Sequence, residues 1–90
     1  MVTQLVCVLG EHVAMTNKDY QSHRIELGTR IRMLRTEQGL STRKFAAMVG
    51  ISKSHLRKIE IAEASPTFDM LERVSAGLDI TVSDLVDFER

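Results

Sequence analysis

One stretch of this chain, residues 41–60, constrains the fold more strongly than any other, and it reads STRKFAAMVGISKSHLRKIE. A serine stands before each of two short segments in which apolar residues recur at helical spacing, and a serine hydroxyl is a favourable N-cap. Gly50 lies between the segments and can adopt the positive φ that a tight turn requires. The pattern therefore predicts two short helices joined by a glycine-containing turn, a helix-turn-helix.

The second predicted helix, residues 53–60, has a basic outward face. The polar residues that precede Glu60 in it are Lys53, Ser54, His55, Arg57 and Lys58. A helix face that carries three strong bases and no acid is suited to a polyanion.

The charges of the chain are segregated along its length, although 12 bases and 12 acids leave no net charge. Residues 24–58 hold nine bases and two acids, a net charge of +7, whereas residues 59–90 hold two bases and eight acids, a net charge of −6. This asymmetry predicts one surface that faces a polyanion and an acidic surface that faces away from it. The alternative is a set of unrelated solvated charges.

Composition excludes several classes of protein. The single cysteine, Cys7, permits no internal disulfide, and no apolar run approaches the roughly 18 residues of a membrane span. We therefore expect a cytoplasmic protein without a membrane segment. The chain contains no zinc-binding spacing, glycine-rich phosphate loop or nucleophile motif, so we expect no enzyme, no metal and no cofactor.

The rest of the chain also has a helical pattern. A long first helix is predicted from Asp19 to Gln38, with apolar residues at i, i+4 and i+7 and with Gly39 as its terminating residue. Thr67 and Thr81 are predicted to cap a fourth helix and a short fifth helix. Strands do not alternate with these helices in the pattern, so the predicted fold class is all-α with five helices.

Residues 1–18 are predicted to form an N-terminal arm outside the domain, which spans residues 19–90. The segment VTQLVCVL is apolar and β-branched, which is typical of a strand, but a single strand needs a partner. A disordered arm and a natural start at Met15 remain alternatives.

Residues 27–86 resemble the Cro-like or phage-repressor helix-turn-helix regulators, also called the xenobiotic-response-element (XRE) class. The matching pieces are LGTRIRMLRTEQGLS, KFAAMVGIS, HLRKIE and SPTFDMLERVSAGLDITVSDLV. The resemblance implies a five-helix, lambda-repressor-like domain from a bacterium or phage. It also implies that the third helix, residues 53–60, reads a double-stranded DNA operator in the major groove, and that the protein is a homodimer.

The resemblance assigns roles to individual residues. The residues expected to contact bases are Lys53, Ser54 and Lys58. The residues expected to contact the DNA backbone are Thr42, Arg43, His55 and Arg57. Arg35 and Glu60 match a structural ion pair of the family, whereas Ile61 and Ala62 depart from its usual Arg-Gly or Asn-Gly.

A second function is compatible with the same pattern. A helix-turn-helix scaffold can lose DNA binding and keep its core, so the chain could instead be a protein-interaction or antitoxin-like module. The acidic residues 59–90 and the apolar Val86 and Phe88 would then serve a protein partner.

Overall fold

The structure is a computed structural model that describes residues 17–88. Its five helices, in chain order, are α1 (Asn17–Glu37), α2 (Thr42–Val49), α3 (Lys53–Glu60), α4 (Phe68–Leu78) and α5 (Val82–Leu85). No strand occurs among these described residues, and the all-α prediction with five helices is confirmed.

The boundaries of α1 differ slightly from the prediction. The helix begins two residues before Asp19 and ends one residue before Gln38, which is the usual uncertainty of helix ends. It therefore includes the last two residues of the predicted arm. The remainder of the arm lies outside the described residues, and the proposed division of the chain into arm and domain stays a prediction.

Local side-chain chemistry sets the starts of α2 to α5. In each case a hydroxyl oxygen accepts a hydrogen bond from the amide three residues later, over 3.0–3.2 Å, and this satisfies one of the unpaired amides of the first turn. The four capping residues are Ser41, Ser52, Thr67 and Thr81. Gly39 and Gly50 have φ values of 72° and 84°, which L-residues with a side chain rarely adopt.

A single aliphatic core joins the helices, and Phe45 is the one aromatic residue among its fully buried members. Its buried apolar residues are Leu27, Ile31, Phe45, Ala46, Val49, Leu56, Ile59, Val74, Leu78 and Leu85. A side-chain hydrogen bond of 2.9 Å from Gln38 Nε2 to the Leu78 carbonyl joins the end of α1 to the end of α4. None of the helices that the structure describes is long and apolar enough to cross a membrane.

Candidate nucleic-acid interface

The core holds α3 by one face and leaves the other face exposed. Leu56 and Ile59 are 0% and 1% exposed and pack inward, because residues three apart lie on the same side of a helix. Lys53, Ser54 and Lys58, predicted to contact bases, are exposed on the outward side. The helical period therefore separates the residues that hold α3 in place from those that can meet a ligand.

All three predicted base-contacting residues line one shallow depression, which we call the recognition cleft. Its lining consists of Lys53, Ser54, Arg57, Lys58, Ile61 and Glu63. The presence of Glu63 corrects the expectation that the acidic half of the chain faces wholly away from the basic surface. The turn after α3 brings this exposed carboxylate back to the basic face.

A second cleft, which we call the junction cleft, lies where α1, α2 and α3 meet and has a volume of about 220 Å³. It is lined by Arg32, Arg35, Thr42, Arg57, Glu60 and Ile61. Two predicted backbone-contacting residues, Thr42 and Arg57, therefore lie together. The other two, Arg43 and His55, line neither cleft: Arg43 is exposed on α2, and His55 is half-buried on α3.

Sequence reasoning missed Arg32 as a member of the junction cleft. Arg32 precedes Arg35 by three residues, so the two side chains share a face of α1. The family resemblance had already matched Arg35 to Glu60. The three-residue spacing could therefore have indicated that Arg32 lies close to this ion pair. The charge of Arg35 is balanced by Glu60, so Arg32 and Arg57 supply the cationic donors of the cleft.

Arg35 connects three segments of the chain. Its Nε and Nη2 atoms donate to the two carboxylate oxygens of Glu60 over 2.8 and 3.0 Å, and its Nη1 donates to the Leu40 carbonyl over 2.8 Å. The two side chains are 8% and 6% exposed. A bidentate pair fixes orientation as well as distance, so the end of α3 is held against α1 and the α1–α2 turn.

Gly28 brings the backbones of α1 and α3 into direct contact. A Cβ atom at residue 28 would lie 2.6 Å from the carbonyl oxygen of Ile59, and closer still to that of Glu60. Real Cβ atoms are not found so close to a backbone oxygen. The packing partner of this glycine is therefore the carboxyl end of α3.

The two clefts offer cationic side chains, hydroxyl groups and the amino end of α2, which together form an environment for anions. Within residues 17–88, no three His, Cys, Asp or Glu side chains are grouped so that they could hold a metal ion. The cationic and hydroxyl groups that line the clefts can provide ionic and hydrogen-bonded recognition.

The chain is similar in sequence and fold to known proteins. The helix-turn-helix family model HTH_3 matches residues 31–85. The HTH-type transcriptional regulator SinR of Bacillus subtilis is 40% identical over 62 residues, which cover 68% of this chain and 56% of SinR. The chain therefore spans little more than half the length of that relative.

Several solved structures are also similar to this chain. The restriction-modification controller protein C.AhdI of Aeromonas hydrophila matches with a TM-score of 0.69 and 26% identity, over 71% of this chain and 97% of that one. A structure of SinR in complex with DNA matches with a TM-score of 0.65 and 40% identity, over 68% of this chain and 98% of that one. SinR in complex with the SinI protein also matches, with a TM-score of 0.65 and 40% identity, over 69% and 61% of the two chains. These similarities confirm the resemblance to the XRE class, and the chain belongs to the HTH_3 family of helix-turn-helix proteins.

Proposed function

We propose that this protein is a sequence-specific DNA-binding transcriptional regulator that reads a double-stranded operator by inserting α3 into the major groove. The observation that carries the proposal is the recognition cleft, which brings together the exposed residues Lys53, Ser54, Arg57 and Lys58. The opposite face of the same helix is buried in the core. The similarity to SinR, solved in complex with DNA, supports the same conclusion.

The dimensions of α3 fit this role. An α-helix with its side chains is about 10–12 Å across, and the major groove of B-DNA is about 12 Å wide. The amino end of the helix carries Lys53 and Ser54, and N-terminal residues of a recognition helix contact base edges. Lysine can donate to guanine O6 and N7, whereas serine accepts several bases. We therefore expect an operator with guanine opposite Lys53 or Lys58.

The junction cleft is proposed to hold the DNA backbone. A phosphate there would meet the Arg32 and Arg57 guanidinium groups, while Thr42 would offer its hydroxyl and the first amides of α2. Arg43 and His55 remain predicted backbone contacts at the margins of this surface. Phosphate contacts position a protein on the duplex without reading its sequence. The junction cleft would therefore set the register of the protein on the DNA, and the recognition cleft would determine its sequence specificity.

A homodimer is part of the proposal, because one helix-turn-helix module reads few base pairs. The two candidate interfaces are the end of α5 and the apolar segment 2–9, and the latter lies outside the described residues. Val86 and Phe88 pack partly against their own core, and the Phe88 ring stacks on His23 at a centroid distance of 5.7 Å. Sedimentation of the full chain and of a chain that begins at Met15 tests which candidate is used.

The test of DNA binding begins with selection of preferred fragments from a genomic library by the full chain. Affinity for the selected operator is then titrated against salt. We expect log K to fall linearly with log salt, by roughly 0.9 per neutralised phosphate, and Arg57→Gln to reduce the slope by about 1. A flat salt response, or no preferred sequence, would contradict the proposal.

Charge reversal provides the matched control. The double variant Lys53→Glu/Lys58→Glu should abolish operator binding, since it places carboxylates against the negatively charged duplex. Arg24→Glu/Lys44→Glu reverses the same number of charges at positions that line neither the recognition cleft nor the junction cleft, and should weaken binding far less. Equal losses would indicate a non-specific charge effect rather than groove recognition.

A protein-interaction or antitoxin-like module is the second candidate function. The similarity to SinR, for which a complex with the SinI protein has been solved, is the observation that favours it. If this alternative is correct, the Lys53→Glu/Lys58→Glu variant will still bind the protein partner, and the wild-type chain will show no preferred DNA sequence.

A further inference from the structure

Ile61 is an exposed aliphatic side chain in the middle of the proposed DNA-binding surface. It is 55% exposed, and it lines both the recognition cleft and the junction cleft. Its neighbours in those clefts include Lys53, Arg57 and Lys58, which are cationic and exposed. An apolar group in such a setting gains nothing from its neighbours and would be stabilised by contact with an apolar ligand surface.

Exposed aliphatic residues are common on protein surfaces and need no function when they occur singly. The surroundings of Ile61 distinguish it from the exposed Ile25 and Met33 on α1. Those two residues line a depression with two acids, Glu26 and Asp87, and one base, Arg30. The recognition cleft has the opposite balance, with three bases and the single acid Glu63. Ile61 therefore combines exposure with a location that can approach a polyanion.

The backbone that carries the Ile61 side chain is held in a defined position. Its amide donates to the Arg57 carbonyl over 3.0 Å, and the preceding residue, Glu60, is fixed by Arg35. The next amide, that of Ala62, donates to the Ile59 carbonyl over 3.2 Å. A β-branched side chain has few rotamers, so little conformational freedom would be lost on contact with a ligand.

Helical spacing places Ile61 in one row with two basic side chains. Lys53, Arg57 and Ile61 succeed one another at intervals of four residues, which is one row along a helix. At 1.5 Å per residue, Ile61 lies about 12 Å from Lys53 along the axis, or roughly three to four base-pair steps of 3.4 Å. Lys53 at the start of α3 would thus be a cationic reader, and Ile61, the C-cap residue that follows α3 on the same side, would be an apolar reader.

We infer that Ile61 reads a thymine of the operator by contact with the thymine C5-methyl group, three to four base pairs from the position read by Lys53. The C5-methyl is the apolar group that a base presents on the major-groove edge. The inference rests on the proposed insertion of α3 into that groove, and it assigns a specificity-determining role to a residue that cannot form a hydrogen bond with its side chain.

The experiment compares thymine with deoxyuridine, which lacks only the methyl group. Each thymine of the selected operator half-site is replaced in turn, and the affinities of the full wild-type chain and of Ile61→Ala are measured. We expect one replacement at the stated spacing to weaken wild-type binding about three- to tenfold. Ile61→Ala should show the same loss on the thymine operator and no further loss on the deoxyuridine operator.

Two controls separate this contact from other effects. Ile25→Ala makes the same chemical change at a residue with 50% exposure on α1 and should leave both affinities unchanged. The midpoint of thermal unfolding of Ile61→Ala should equal that of the wild type, since an exposed side chain contributes little to the core.

Three results would overturn the inference. First, none of the deoxyuridine replacements changes the affinity of the wild-type chain. Second, the selected half-site has no thymine at the stated spacing. Third, Ile61→Ala and the deoxyuridine replacement each reduce the affinity and their effects add in full. The last result would place Ile61 against deoxyribose. Lys53→Glu/Lys58→Glu is measured on the same operator: if it abolishes binding while deoxyuridine has no effect, only the role of Ile61 fails. If the wild type prefers no operator, both proposals fail.

Discussion

The amino end of α3 projects Lys53 and Ser54 into solvent, whereas the carboxyl end is held against α1 by the Arg35–Glu60 ion pair and by the close backbone approach at Gly28. The difference places the contacts that stabilise this eight-residue helix at its carboxyl end, whereas the exposed side chains along it remain available to a ligand. A short helix is not stable alone, so its exposed end depends on the contacts made at the held end. Substitutions of the buried contacts at the carboxyl end should accordingly affect folding, and substitutions of the exposed side chains should affect DNA affinity.

The largest effect is expected from Glu60→Ala. It leaves the buried Arg35 guanidinium without its carboxylate, and loss of one partner of a buried pair costs about 3 kcal/mol or more in the free energy of unfolding. Urea denaturation measures this change. Glu63→Ala is the matched control, because it removes an exposed acid three residues away and should change stability by less than about 0.5 kcal/mol. Equal effects of the two variants would show that the pair does not hold α3.

Gly28→Ala should have the next largest effect, a loss of about 2 kcal/mol. The added methyl group collides with the carbonyl oxygens of Ile59 and Glu60, and this overpacking outweighs the gain of up to about 1 kcal/mol in helix propensity. Thr29→Ala, at the adjacent exposed position of α1, is the control and should be close to neutral. A Gly28→Ala variant as stable as Thr29→Ala would argue against the close approach of α1 and α3.

At the amino end, Lys53→Gln should leave the free energy of unfolding unchanged within about 0.5 kcal/mol and weaken operator binding about tenfold, or about 1.4 kcal/mol. Titration of the selected operator measures the second quantity. Lys44→Gln is the same chemical change at an exposed position of α2 that lines neither cleft, and its effect should stay below about threefold. A loss of stability in Lys53→Gln would contradict the division of labour within α3.

The smallest effect is expected just beyond the held end. Ala62 has a φ of 65°, a conformation that costs an L-residue roughly 1–2 kcal/mol and glycine almost nothing. Because glycine also makes the unfolded chain more flexible, Ala62→Gly should raise the free energy of unfolding by only about 0.5 kcal/mol. Ala47→Gly, at an exposed position within α2, should instead lower it by about 1 kcal/mol. Two changes of the same sign would contradict the prediction.

The sequence was sufficient for features that depend on neighbouring residues. The capping hydroxyls of Ser41 and Ser52, the positive φ of Gly50 and the inward face of α3 follow from spacing within a few residues, and the structure has each of them. The family and its all-α fold could also be recognised, because several such local patterns occur in one order.

Contacts between distant residues could not be predicted in the same way. Nothing in the periodicity of α1 indicates that Gly28 meets the end of α3, since the two are about thirty residues apart in the chain. The return of Glu63 to the basic face depends on the path of the turn after α3. In that turn Ala62 has a positive φ, which alanine does not favour. The spacing of Arg32 from Arg35 places both on one face of α1, but the entry of Arg32 into the junction cleft also depends on how α1 packs against α3, which helical periodicity does not specify.

The inward attachment of α3 through Leu56 and Ile59 has a consequence for the design of new specificities. Residues 53, 54 and 58 can be randomised together without entering the core, so most members of such a library should fold and express. Selection on altered operators would then act on recognition alone. If α3 reads the operator as proposed, the same freedom would allow the specificity to change while the scaffold stays constant.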